Sequence, residues 1–194
     1  AEHSSTSMDK QYIWVAFYAG NEGSLLFIAL ALSVLSAISI FSSPRQIQQS
    51  LPHINSVLMI ILIFFVGVMI ILANPFSVLE FIPGNGKGIN PLLTHPGMFI
   101  HPPILMTGLI SFAVPFSIAL GALIAGQTED EWIDSARSWG IFCWGILGIG
   151  LGITMVFIIE YIEANDQKNI ALVKSLVINN IKELIFLGRK NIYS

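Results

Sequence analysis

Two histidines six residues apart, His95 and His101, sit among four prolines in GKGINPLLTHPGMFIHPPIL (residues 86–105), at the mouth of a long apolar segment. Neutral imidazole is a ligand for iron, zinc or copper. A residue before proline is pushed out of the helical region, so the sequence predicts an extended His101, with Pro102-Pro103 opening a helix behind it. His95 precedes Pro96-Gly97 and is expected in a turn. No carboxylate or cysteine stands nearby in sequence, and on an irregular loop this spacing sets no coordination geometry. The competing reading of the same residues is an interfacial histidine that hydrogen-bonds lipid headgroups or backbone. PGNGKG (83–88) lacks the spacing and the Ser/Thr of a P-loop and reads as a flexible turn. His53 lies near Arg45 and is expected in solvent. Cys143 is the single cysteine. It reads as a packing residue, and with no Cys-x-x-Cys-His the chain does not attach haem covalently to itself.

The elements that must position these residues are membrane spans. Of 194 residues, 54% are hydrophobic and 11% are charged, against about 25% charged in soluble domains. Mean hydropathy is +0.75. The apolar residues come in blocks of about 20, enough to cross roughly 30 Å of hydrocarbon as a helix. The fold class is therefore an all-α integral membrane protein embedded in a lipid bilayer. It has about four transmembrane helices (24–41, 54–73, 104–125 and 139–159), an interfacial histidine loop, and an amphipathic C-terminal tail (160–194). Pro115 should bend the third span, and Gly148 with Gly152 gives the fourth a small-xxx-small pair. The tail should be a surface helix with Ile170, Val173, Leu176, Val177, Ile181 and Leu184 on one side.

A net charge of −3 gives no reason to expect nucleic acid as a partner. Four spans put both chain ends and the histidine loop on one side, with Lys10, Lys87 and five basic residues of the tail. Arg45 and Arg137 are on the other side. The positive-inside rule then makes the histidine side cytoplasmic, but without the tail the two sides balance and the rule is silent.

INPLLTHPGMFIHPPILMTGLISFAVPFSIALGALIAG (89–126) resembles the segment NPLLQ…G…HPPLLY…G…FAFAFAIAAL of the CcmF/CycK/NrfE family, the cytochrome c maturation haem lyases. NEGSLLF (21–27) is similar to that family's WGGHEGSLLLW, and ANPF (73–76) to its SNPF. HSS (3–5) with Tyr12 is similar to its HSN…Y, and SWGIFCWGILGIGLG (138–152) to the span leading to its tryptophan-rich motif. The resemblance covers about residues 1–152, taken as part of a haem-lyase-like membrane domain over 1–159.

The resemblance implies a protein of the bacterial or mitochondrial inner membrane. Such proteins take haem b, held non-covalently as substrate, from a haem chaperone at the outer membrane face. They join its vinyl groups to the thiols of apocytochrome c, together with other cytochrome c maturation subunits. His101, the histidine of HPP, matches one of two histidines flanking the haem platform and is the axial-ligand candidate. Asn90, Pro91, Pro102, Pro103, Glu22, Gly23 and Ser24 match motif positions as supporting residues. No ligand role carries over to His95 or His3, and Asn21 stands where the family has histidine.

After Gly152 the tryptophan-rich platform and the second histidine are not matched. One histidine without an aromatic wall should hold haem weakly, so this chain alone is expected to be inactive. The missing initiator methionine and unmatched tail suggest a piece of a longer protein, by truncation or a reading-frame shift. One part of a split lyase is an alternative. A membrane scaffold or assembly subunit without haem is another.

Overall fold

The computed structural model describes residues 3–81, 83–89, 96–127, 130–165, 174–175 and 177–182. Among these the chain is helical, with no strand. A short α1 (Ile13–Ala19) turns at Gly20 into α2 (Asn21–Phe41), followed by α3 (Leu51–Leu72), α4 (His101–Ser111), α5 (Ala113–Ile124) and α6 (Glu131–Asn165). Four stretches are long and apolar enough to cross a membrane: Asn21–Phe41, Leu51–Leu72, Gly97–Ile124 and Trp132–Ile162. This is an all-α integral membrane protein.

Helix ends follow the local chemistry. α2 begins at Asn21, three residues before the expected start, because extended Gly20 caps it. α3 accepts Pro52 in its first turn, where the missing N–H costs nothing, and ends at Ala73 before Asn74-Pro75. The third span is two helices. Pro115 cannot donate to the carbonyl of Ser111, and the helix breaks at Phe112, between α4 and α5. The break faces protein, since Ser111 and Val114 are fully buried. α6 starts eight residues before the expected Trp139, because Trp132, Ala136 and Trp139 recur on one face and pack against the core.

The chain divides into two compact units, Ala1–Gly150 and Leu151–Ser194. In the first, α3 packs on α2 and α5, and α2 packs on α4. Its core is Leu32, Leu35, Ile47, Ile54, Leu58, Val114 and Ile118. α4 and α6 run antiparallel in close contact. A Cβ on Gly108 would lie 2.7 Å from the Leu147 backbone, and one on Gly150 would lie 3.1 Å from that of Leu105. Hydrophobic burial drives helices together only weakly in lipid, so such backbone approach supplies much of the packing attraction. Cys143 is fully buried, as a packing residue should be. In the second unit, residues 177–182 are helical and include Val177 and Ile181 of the expected apolar face. Ile170, Val173, Leu176 and Leu184 lie outside the described residues.

Candidate functional site

The site is built at the end of the first unit where α2 and α4 begin. A 3-10 turn, Pro96–Phe99, runs directly into α4: Ile100 N–H donates to the Gly97 carbonyl at 3.1 Å and Ile104 N–H to the Ile100 carbonyl at 3.2 Å. His101 is therefore the first helical residue, not the extended residue that the following proline predicts. The turn before it already has helical sense, with Ile100 in the right-handed helical region, and this outweighs the local preference. Pro102 and Pro103 follow in the first turn.

His101 is half-buried, and its Nδ1 lies 3.3 Å from the carbonyl oxygen of Gly150 on α6. A carbonyl only accepts, so this contact selects the tautomer with the proton on Nδ1 and the lone pair on Nε2. Metal-bound histidines usually have this arrangement, one ring nitrogen anchored by an acceptor and the other ligating. Gly150 makes the contact possible because its missing side chain brings the α6 backbone against α4. Further along the same seam lies an apolar groove of about 300 Å³, lined by Pro103, Ile104, Thr107, Ile146 and Ile149.

The residues Glu22-Gly23-Ser24 build the α1–α2 corner. A Cβ on Gly23 would sit 1.6 Å from the Phe17 carbonyl oxygen, so only glycine fits. Ser24 Oγ donates to the carbonyls of Tyr18 (2.8 Å) and Gly20 (2.9 Å). Glu22 Oε2 and His3 Nε2 both approach Gly20, where a Cβ would meet them at 2.9 and 3.0 Å. The acidic side chain also suits the positive end of α2.

The turn 83–88 is pinned to the N-terminal segment, contrary to the flexible turn its glycines suggest. Asn85 Oδ1 accepts from Thr6 N–H (2.9 Å) and Thr6 Oγ1 (3.1 Å), and Gly88 N–H donates to the Ser4 carbonyl (3.2 Å). Tyr18 Oη donates to the Met98 carbonyl at 2.5 Å, and the Tyr12 and Phe99 rings meet at 5.5 Å. Tyr18 carried no motif signal and was legible only in three dimensions. His95, Asn90 and Pro91 lie outside the described residues. His53, expected in solvent, sits in the first turn of α3 at the opposite end, its Nδ1 buried without a hydrogen-bond partner. Helix α3 begins at Leu51 and so carries His53 into the bundle end. No cluster of three or more His, Cys, Asp or Glu suited to a metal ion occurs among the described residues.

Fold and site together define a multi-pass helical membrane protein that presents one carbonyl-anchored histidine at a capped end of its bundle. Residues 18–176 match the family described as "Cytochrome C assembly protein", and the chain belongs to that family. It is 38% identical over 154 residues to the cytochrome c-type biogenesis protein CcmF of Pseudomonas fluorescens, covering 78% of this chain and 23% of that protein. It is 32% identical over 151 residues to the cytochrome c-type biogenesis protein NrfE of Haemophilus influenzae, covering 78% and 24%. With the cytochrome c-type biogenesis protein CycK of Rhizobium meliloti, identity is 33% over 137 residues, covering 69% and 20%. The chain thus spans about a quarter of the length of the relatives it matches. No solved structure matches it.

Proposed function

We propose that this chain supplies a histidine ligand for haem in cytochrome c biogenesis, with His101 as an axial ligand to haem b held non-covalently as substrate. The observation that carries this reading is the contact of His101 Nδ1 with the Gly150 carbonyl, which puts the ring's lone pair on Nε2. Haem iron takes such a nitrogen readily, and an axial histidine fixes where the porphyrin sits. The neighbouring groove is aliphatic, so the described residues fit one ligand and one apolar edge of a porphyrin rather than its whole face.

The remainder of the haem surface then belongs to the tryptophan-rich segment that the family carries and that the residues after Gly152 do not supply. In this reading His101 orients haem at the outer face of a bacterial or mitochondrial inner membrane. Vinyl groups there accept the two thiols of apocytochrome c, each S–H adding across a C=C bond to give a thioether. A haem chaperone and other maturation subunits are the expected partners. Ligation activity belongs to the larger assembly, and this chain alone is expected to be inactive.

The test is haem per chain after purification from membranes that also contain the tryptophan-bearing part of a family member. His101→Ala should lower it about ten-fold or more, on the scale of losing a ligand-ordering group. Unchanged haem would remove the ligand role and favour a scaffold that handles no cofactor.

A further inference from the structure

We infer that Tyr18 is a positioning residue for His101, because it takes the place of a backbone donor that Pro102 deletes. The backbone keeps helical sense from the Pro96–Phe99 turn through Ile100 into α4, with Ile100 N–H on the Gly97 carbonyl and Ile104 N–H on that of Ile100, while Pro102 and Pro103 have no N–H to give. In such a run the N–H of residue 102 would donate to the carbonyl of residue 98. Pro102 has no N–H, so the Met98 carbonyl loses its helical donor. Tyr18, 80 residues away in sequence, donates its hydroxyl to that same carbonyl. A half-buried carbonyl left without a donor costs free energy, so the bond and the proline are complementary features.

Tyr18 suits this task because it is itself held. Its own carbonyl accepts from Ser24 Oγ at 2.8 Å, and the α1–α2 corner closes over Gly23. Tyr12, the residue just before α1, adds a second contact to the same turn through the Phe99 ring. The Glu22-Gly23-Ser24 run and the His101-Pro102-Pro103 run, far apart in sequence, are thereby joined through one phenol. Since Met98 lies three residues before His101, in the turn that leads into α4, freeing it lets the start of α4 shift. That shift loosens the Nδ1 contact with Gly150, which at 3.3 Å is already long. What His101 does once positioned rests on the haem reading; the positioning itself does not.

The test uses the full chain in detergent micelles, labelled with ¹⁵N at histidine, with the His101 signals assigned from His101→Gln. The parent chain should show the Nδ1–H tautomer of His101. In Tyr18→Phe the ratio of Nδ1–H to Nε2–H should fall about five-fold, as for one neutral hydrogen bond lost. His53, at the opposite end, should be unchanged. Adding Pro102→Ala to Tyr18→Phe returns an N–H donor to the Met98 carbonyl and should restore the ratio.

A His101 spectrum unaltered by Tyr18→Phe, or altered but not restored by Pro102→Ala, would overturn the inference. If Tyr18→Phe alone does not fold, recovery of the fold in the double variant supports the inference and failure to recover overturns it. The imidazole is observed without haem. A His101→Ala variant that keeps its haem would therefore sink the proposed function and leave the Tyr18 inference standing.

Discussion

Ser36 and Ser50 are 2% and 0% exposed, and neither hydroxyl has a hydrogen-bond partner. Ser33 and Ser117 instead bond their own helix, at the carbonyls of Ala29 and Ala113. An unpartnered buried hydroxyl carries a desolvation cost without return, so Ser36→Ala and Ser50→Ala should be neutral or raise stability by up to about 1 kcal/mol. Ser24→Ala should instead lower it by about 1 kcal/mol, since two carbonyls at the α1–α2 corner lose a donor. Thermal unfolding in a fixed detergent distinguishes the three. Tyr18 adds a pH signature. Burial raises its phenol above the ordinary 10.0, which favours the un-ionised donor in the folded chain. Its stabilising contribution is complete below about pH 10 and is lost as pH rises through the raised value. Ultraviolet titration should show a tyrosine component ionising above the ordinary value, and that component should vanish in Tyr18→Phe. At this scale the place of His101, at the head of the third span beside Pro102-Pro103, was legible from sequence. Its helical conformation and carbonyl anchor were not, because they depend on Gly97 and Gly150, one a local turn and the other a separate helix.

α4 and α6 approach closely through Gly108 and Gly150, whereas a Cβ on Gly145 or Gly148 would meet nothing within 4 Å. Of the fourth span's glycines, Gly150 alone meets another helix, while Gly140, Gly145, Gly148 and Gly152 do not, a division no spacing rule predicts. Gly108→Val should destabilise by about 1–3 kcal/mol, because the Leu147 backbone cannot move aside as a flexible side chain would. Gly148→Val should stay within about 0.5 kcal/mol of the parent. Unfolding midpoints of the two variants, measured side by side, check the assignment. The Pro115 bend was legible because proline removes a specific hydrogen bond. The early start of α6 was less so, because residues 131–138 are too polar for a hydropathy window and join the helix through Trp132 and Trp139.

Across the whole molecule, an even number of spans puts the N-terminal segment and the histidine turn on one side of the membrane, and the α2–α3 and α5–α6 connections on the other. In a Cys143→Ser background, Ser5→Cys and Gly84→Cys should react with an impermeant thiol reagent from one side, and Ser42→Cys and Asp134→Cys only from the other. Labelling of all four from the same side would break this topology. Sequence alone determined the class: uncharged apolar blocks leave the backbone no partner in lipid except itself, so helices were forced. Short motifs also pointed to the family and to His101. Tertiary structure alone decided which carbonyl His101 Nδ1 meets, which glycines touch another helix, and that Tyr18 answers the carbonyl that Pro102 leaves open. Each of these depends on groups far apart along the chain, as in the Tyr18–Met98 bond, 80 residues apart, and the His101–Gly150 contact, 49 apart. Periodicity reports only which face of a helix is apolar, whereas a hydrogen bond between distant groups exists only once packing has brought them within about 3 Å.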